Sequence, residues 1–226
     1  MPAGRGARES ASEAEMKASE SEAAKMLRVG LTGGLGTGKS FVSAALADLG
    51  CRVLKADELG HAVLEPGAEA YAPVVERFGS EVLDGDRRIE RKRLAEIAFH
   101  DAGKLRLLNS LVHPAVIARE EDWLRQVEAA DPSAIAVIEA AILVETGSYR
   151  RFHKLVLTVC SEAQQIERAM ARDGSTLEAV LERIRRQMPL EEKKKFADYL
   201  IDTSGTTDDT IEQVQRLYKS LRSLNV

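Results

Sequence analysis

At 226 residues with 44% apolar side chains, the chain is long enough for one well-filled core and a small insertion. Its net charge of −4 is mixed in sign and its aromatic content is 4%, which leaves neither the basic field nor the stacking platform of a nucleic-acid binder. No apolar run approaches the roughly 20 residues of a membrane helix, and the two cysteines, Cys51 and Cys160, lack metal-ligand spacing and read as reduced, buried, inert thiols in a cytoplasmic setting.

Residues 1–25 are rich in Ala, Ser and Glu. They lack the apolar stretch of a secretory signal, and Glu9, Glu13, Glu15, Glu20 and Glu22 argue against a transit peptide. They read as a disordered tail. Met26 opens the first strand directly, so the tail is open to being an artefact of start-codon choice. Residues 26–226 read as one domain.

That domain begins with a short apolar strand, Leu27–Thr32, which runs into Gly33-Gly34-Leu35-Gly36-Thr37-Gly38-Lys39-Ser40. The run matches G-x-x-x-x-G-K-[ST] in full, between a strand and a helix. Chance gives this pattern in about one chain in a hundred of this length, and the strand–helix context lowers that further. Each position has a reason. A loop that wraps a polyphosphate with inward backbone N–H groups needs positive φ and bare backbone. Lys39 supplies a cation for the β- and γ-phosphates, Ser40 a hydroxyl for Mg²⁺, and the helix an N-terminal dipole. The chain is therefore expected to bind ATP with Mg²⁺ on a P-loop.

A helix from Ser40 to Leu49 stops at Gly50, and a second strand follows, Cys51–Leu54. Asp57 comes next, at the carboxyl end of that strand, where doubly wound sheets line their ligand crevice. It reads either as the acceptor of a proton from an attacking hydroxyl, with reach to Mg²⁺ through water, or as the N-cap of the next helix. About eighty residues then separate strands two and three, far more than one crossover helix needs. Helices are expected over Ala68–Phe78, Arg91–Phe99, Ala102–Leu111 and Pro114–Ala129, with Pro114 in a first turn. They form a helical insertion beside the sheet. Strands three, four and five are Ala134–Ile138, Leu155–Val159 and Tyr199–Ile201. Ser161–Gln164 and Ser175–Glu178 read as capping boxes of two helices that run to about Arg172 and Met188. Thr207–Leu224 is a final amphipathic helix. The fold class is thus α/β, a five-stranded parallel sheet flanked by helices.

The loop alone does not separate hydrolysis from transfer. No N-K-x-D motif of a GTPase occurs in the chain. A compact sheet with a long helical insertion and a basic late helical pair points to a small-molecule kinase. A kinase for another acceptor and a non-catalytic nucleotide-binding protein remain the alternatives.

Several segments together resemble the dephospho-CoA kinase family: Gly30–Ser40, Ala56-Asp57, Val63-Leu64-Glu65-Pro66-Gly67, Asn109-Ser110-Leu111-Val112-His113-Pro114, Leu143-Val144-Glu145 and Arg172-Asp173. They occur in that family's order and spacing. The resemblance implies transfer of the γ-phosphate of ATP to the ribose 3′-hydroxyl of dephospho-CoA, the last step of coenzyme A synthesis. It implies a core of about 26–60, 130–165 and 196–226, a substrate-binding insertion of about 61–129, and a lid of about 166–195. It makes Asp57 the base, Lys39 and Arg172 the catalytic cations, and Arg91, His113 and Glu145 substrate-side residues, Glu145 serving substrate or lid. Partners are then ATP and dephospho-CoA, without nucleic acid or membrane, in a monomer or weak homo-oligomer. Arg168 shares a helix face with Arg172, and Lys193, Lys194 and Lys195 read mainly as solvated charges. Glu139 reads as a sheet-end charge rather than a Mg²⁺ contact. Three positions depart from the family pattern: Lys55 where an aspartate is usual, His61 where an arginine is common, and Ala141 where a proline stands.

Overall fold

Strand β1 (Leu27–Gly33) is apolar almost throughout because it is covered on both faces. The structure, a computed structural model, describes residues 25–224, so the reading of residues 1–24 as a tail lies outside the described residues. β1 is the middle of a five-stranded sheet with β2 (Arg52–Lys55), β3 (Ile135–Glu139), β4 (Lys154–Val159) and β5 (Tyr199–Asp202), in the order β2-β3-β1-β4-β5. All four pairings are parallel. The expected strands are all present, each within a residue or two of its expected ends.

Side-chain alternation sends Val29 and Leu31 to one face. There they join Val137, Val156 and Ile201 against Val42 and Leu46 of α1 (Lys39–Asp48) and Val214, Leu217 and Leu221 of α9 (Thr207–Ser223). On the opposite face Ala136, Ile138 and Leu155 pack with Leu124, Leu143 and Val144. Gly30 faces that side, where a Cβ would stand 2.9 Å from the Phe152 ring.

Between β2 and β3 lie α2 (Ala56–Ala62), α3 (Tyr71–Phe78), α4 (Arg91–Phe99) and α5 (Ala102–Ala130). Val63, Val74, Phe78, Val82, Leu94 and Ala98 form a core of their own, closed by Leu107, Leu111 and Val112 of α5. The two helices expected on either side of Pro114 are one 29-residue helix with Pro114 inside it. An interior proline costs about 3 kcal/mol. Burial offsets this here, since the N-terminal half of α5 closes the insertion core and its C-terminal half packs Leu124 and Val127 on the sheet side. Val116, just past the proline, packs against both clusters.

After β4 come α6 (Glu162–Asp173), α7 (Leu177–Arg185) and the short α8 (Leu190–Lys194). The box at Ser161–Gln164 forms as expected. The second does not form over Ser175–Glu178. Thr176 is the N-cap instead, accepting the Ala179 N–H, which moves the helix start one residue on. Thr206 and Asp209 form a capping box at α9 that the sequence reading passed over.

Candidate active site

The nucleotide loop is held from three sides. Thr37 Oγ1 donates to the Gly34 carbonyl at 2.9 Å and is hydrogen-bonded to Thr158 Oγ1 at 2.7 Å. Thr203 Oγ1 donates to the Thr37 carbonyl at 3.1 Å. Gly36 and Gly38 have φ of 72° and 79°. At Gly36 a Cβ would also stand 2.5 Å from the Gln165 carbonyl oxygen, so the close approach of α6 requires that glycine as well as the phosphate does. Gly38 is the N-cap of α1 and offers no side chain, which leaves the first-turn N–H groups to an anion.

Lys39 Nζ donates to the Gly33 and Gly34 carbonyls at 3.1 and 2.9 Å. Burial strips water from this ammonium and lowers its pKa to about 8. Asp57 and Glu139 oppose that fall, while Lys193 and Arg172 add to it. These charges therefore share one neighbourhood.

Glu139 is buried at the end of β3, and both its oxygens are engaged. Ser40 Oγ donates to Oε1 at 2.8 Å and Ser43 Oγ to Oε2 at 2.6 Å. Glu139 does end β3, as expected, and because β3 lies beside β1 its carboxylate also meets the loop's own serine. The signal available in the sequence was an acidic residue at the carboxyl end of a fully apolar strand, but strand order was needed to aim it.

Asp57 is not an N-cap. It sits in the first turn of α2, after Lys55 at the N-cap position. Its carboxyl opens on the crevice but is flanked by protein. That partial loss of water raises its pKa, Lys39 opposes the rise, Glu139 adds to it, and His61 opposes it. Asp57 stands at the wall of a cavity of about 460 Å³, lined also by His61, His113, Ile117, Ile142 and Ser148. His113 lies within α5 rather than at a helix entry, and burial lowers its pKa, which favours the neutral ring at neutral pH.

The other expected residues are dispersed. Arg172 lies near Lys39 at the end of α6, with its guanidinium on Asp173 at 2.6 and 3.0 Å. Arg91 begins α4, is exposed, and makes no side-chain hydrogen bond or ion pair among the described residues. Glu145 is not among the cavity-lining residues. It pairs with Lys193 at 2.7 Å and accepts the Met188 N–H at 3.1 Å, which ties it to the segment at α8. Lys193 was expected to be a solvated charge and is fully buried. Lys55 reaches Glu58 at 3.8 Å from an exposed position. Cys51 is buried and its thiol is pushed up to about 12, whereas Cys160 is only half-buried, with Sγ 3.8 Å from the Gly36 carbonyl.

A family model described as dephospho-CoA kinase matches residues 27–209, which span the loop, the cavity and α6 to α8. The chain belongs to the dephospho-CoA kinase family. Dephospho-CoA kinase of Aquifex aeolicus is 39% identical over 196 residues, covering 87% of this chain and 98% of that one. A Thermus thermophilus protein of known crystal structure has a TM-score of 0.77 at 31% identity, over 87% of this chain and 97% of its own. Dephospho-CoA kinase from Campylobacter jejuni shares the fold, with a TM-score of 0.57 at 22% identity over 86% and 96% of the two chains. The sheet and its flanking helices are those of a P-loop kinase.

Proposed function

We propose that this chain transfers the γ-phosphoryl group of ATP to the ribose 3′-hydroxyl of dephospho-CoA, giving coenzyme A and ADP. The observation that carries this reading is the placement of Asp57. It lies on the wall of the apolar cavity and within the electrostatic reach of Lys39 on the nucleotide loop. A hydroxyl bound in the cavity therefore meets a carboxylate and a phosphate site together. On the other side of the loop a cavity of about 270 Å³, lined by Gly38, Phe41, Arg168, Thr203 and Thr206, suits the adenosine end of ATP.

In this reading the acceptor oxygen attacks the γ-phosphorus and gives its proton to Asp57. The bond to the bridging oxygen breaks, and ADP leaves. The transition state is loose, so positioning and charge neutralisation outweigh base strength. Lys39 and Arg172 supply positive charge. Arg172 leaves Asp173 to do so when α6 to α8, acting as the lid, close over the phosphates and exclude water. Hard oxygen donors suit Mg²⁺: Ser40 and Glu139 would hold it, with Asp57 through water, and it would supply further charge for the phosphates. Residues 61–129 serve as the acceptor domain, with His113 and Arg91 on the substrate side. No helix among the described residues is long and apolar enough to cross a membrane, and we assign the enzyme to the cytoplasm as a monomer or weak homo-oligomer.

Coupled ADP release across dephospho-CoA, shikimate and nucleoside monophosphates tests the acceptor. Turnover only on another acceptor would discard the reading. Asp57 must be ionised to accept a proton, and its raised pKa in the free protein moves the acid limb of kcat/KM above the ordinary aspartate value of about 3.9. Asp57→Asn is expected to cut kcat on the order of 100-fold and to remove that limb, with little change in ATP affinity. An unchanged kcat in the variant would take Asp57 out of the mechanism.

A further inference from the structure

The stretch from Gln187 to Lys193 touches both halves of the site. Gln187 Oε1 accepts the Leu35 N–H at 2.8 Å, a bond to the nucleotide loop itself. The Leu35 side chain is buried among Ile166, Ala169, Val180 and Ile184 of α6 and α7. One residue on, the Met188 N–H donates to Glu145 Oε1. Lys193, with its side chain fully buried, pairs with the same oxygen at 2.7 Å and donates to the Ala141 carbonyl at 2.9 Å. The Thr32 hydroxyl at the end of β1 donates to that carbonyl as well, at 3.2 Å. Residues 140–148, which carry Ala141 and Glu145, also supply Ala140, Ile142, Leu143 and Thr146 to the wall of the acceptor cavity.

Glu145 is thus a hub. Its own loop lines the acceptor cavity, and the segment it binds reaches the nucleotide loop. Burying an ammonium with a carboxylate is a poor way merely to fasten a helix, because a packed apolar pair does so without the desolvation cost. The charge has a second effect. The Lys193 ammonium lies in the field of the phosphate site, where it opposes protonation of Lys39.

We propose that Lys193 and Gln187 are positioning residues for phosphoryl transfer: Lys193 holds Glu145 and Ala141 of the loop that walls the acceptor cavity, Gln187 holds Leu35 of the nucleotide loop, and the segment between them clamps the two loops together. The clamp rests on the transfer reading above. It fixes the distance between donor and acceptor, and it makes each substrate tighten the site for the other.

The test uses the full chain with Mg²⁺, ATP or its non-hydrolysable imido analogue, and dephospho-CoA. Lys193→Met alone strands Glu145 and risks misfolding. The informative variants are therefore Lys193→Met/Glu145→Leu, which removes the buried pair together, Gln187→Leu, and Lys193→Arg. Single-turnover transfer is expected to fall on the order of 100-fold in the double variant and about tenfold in Gln187→Leu, at wild-type melting temperature and with analogue affinity within about twofold. Lys193→Arg should recover part of the rate. Calorimetry should show each substrate tightening the other in the wild type and not in the double variant. A folded double variant that transfers at the wild-type rate overturns the proposal. So does a loss that the affinity for one substrate, or a lower melting temperature, accounts for in full. A wild type that binds both ligands and transfers nothing sinks the transfer reading instead, and the binding synergy then judges the clamp alone.

Discussion

Glu139 shows how much one carboxylate can organise. Its two oxygens take the hydroxyls of Ser40 and Ser43, so it holds the loop serine in place before any ligand arrives. Charge-assisted bonds of this kind are about twice as strong as neutral ones. Glu139→Gln keeps the shape but loses the charge, and we expect a 10–100-fold rise in the Mg²⁺ concentration needed for half-maximal rate. A magnesium titration of initial rate at saturating ATP checks this, and an unchanged midpoint would make Glu139 purely structural. The glycines carry a related lesson. The sequence explains Gly36 by phosphate approach alone, yet the Gln165 backbone stands where a Cβ would go. The motif is set by the packing of α6 as well as by the ligand.

At the scale of elements, α5 joins the insertion core to the sheet. Its apolar residues do this on both sides of Pro114, and an ionic network finishes the join. Arg151, in a 3₁₀ turn before β4, reaches Glu120 at 2.6 Å and Glu121 at 2.6 Å, and Arg28 of β1 reaches Glu121 at 3.2 Å. Glu120 is almost fully buried. Burial raises its pKa, while the Arg151 hydrogen bond and charge hold it down. Arg151→Met would leave that carboxylate buried without its partner, at a cost of about 3–5 kcal/mol. Urea unfolding at neutral pH measures it. Lowering the pH so that Glu120 protonates should return part of the loss, because a raised folded-state pKa favours the protonated form. Equal stability of variant and wild type would show that water replaces the arginine.

For the whole molecule, the Lys39 pKa of about 8 links nucleotide binding to protons. The shift is downward, so the charged lysine destabilises the empty fold. That penalty is complete below about pH 8 and is relieved as the pH rises towards the ordinary lysine value. Polyphosphate binding favours the charged form. We therefore expect ATP affinity to weaken above pH 8 and binding there to take up as much as one proton. Calorimetry at pH 8.5 in two buffers of different ionisation enthalpy reads the proton count. Lys39→Met should show none of it. Proton uptake that survives this substitution would place the linked group elsewhere.

The sequence by itself determined the parts whose chemistry is local. The glycine loop, its lysine and its serine are recognisable from their neighbours in the chain, and short apolar runs sufficed to place the five strands. The resemblance carried by the short motifs along the chain already pointed to the family that the comparisons show. Tertiary structure decided what depends on distant partners. Ser40 and Glu139 are 99 positions apart, Leu35 and Gln187 are 152 apart, and Lys193 finds its acceptors only where the loop after β3 passes α8. A helix through Pro114 contradicts local preference, and burial on both sides of the proline makes it stable. A lysine among lysines looks solvated until a carboxylate from another element pairs with it in the interior. Desolvation and pairing act between elements, so strand order and helix packing had to be known before those residues could be read.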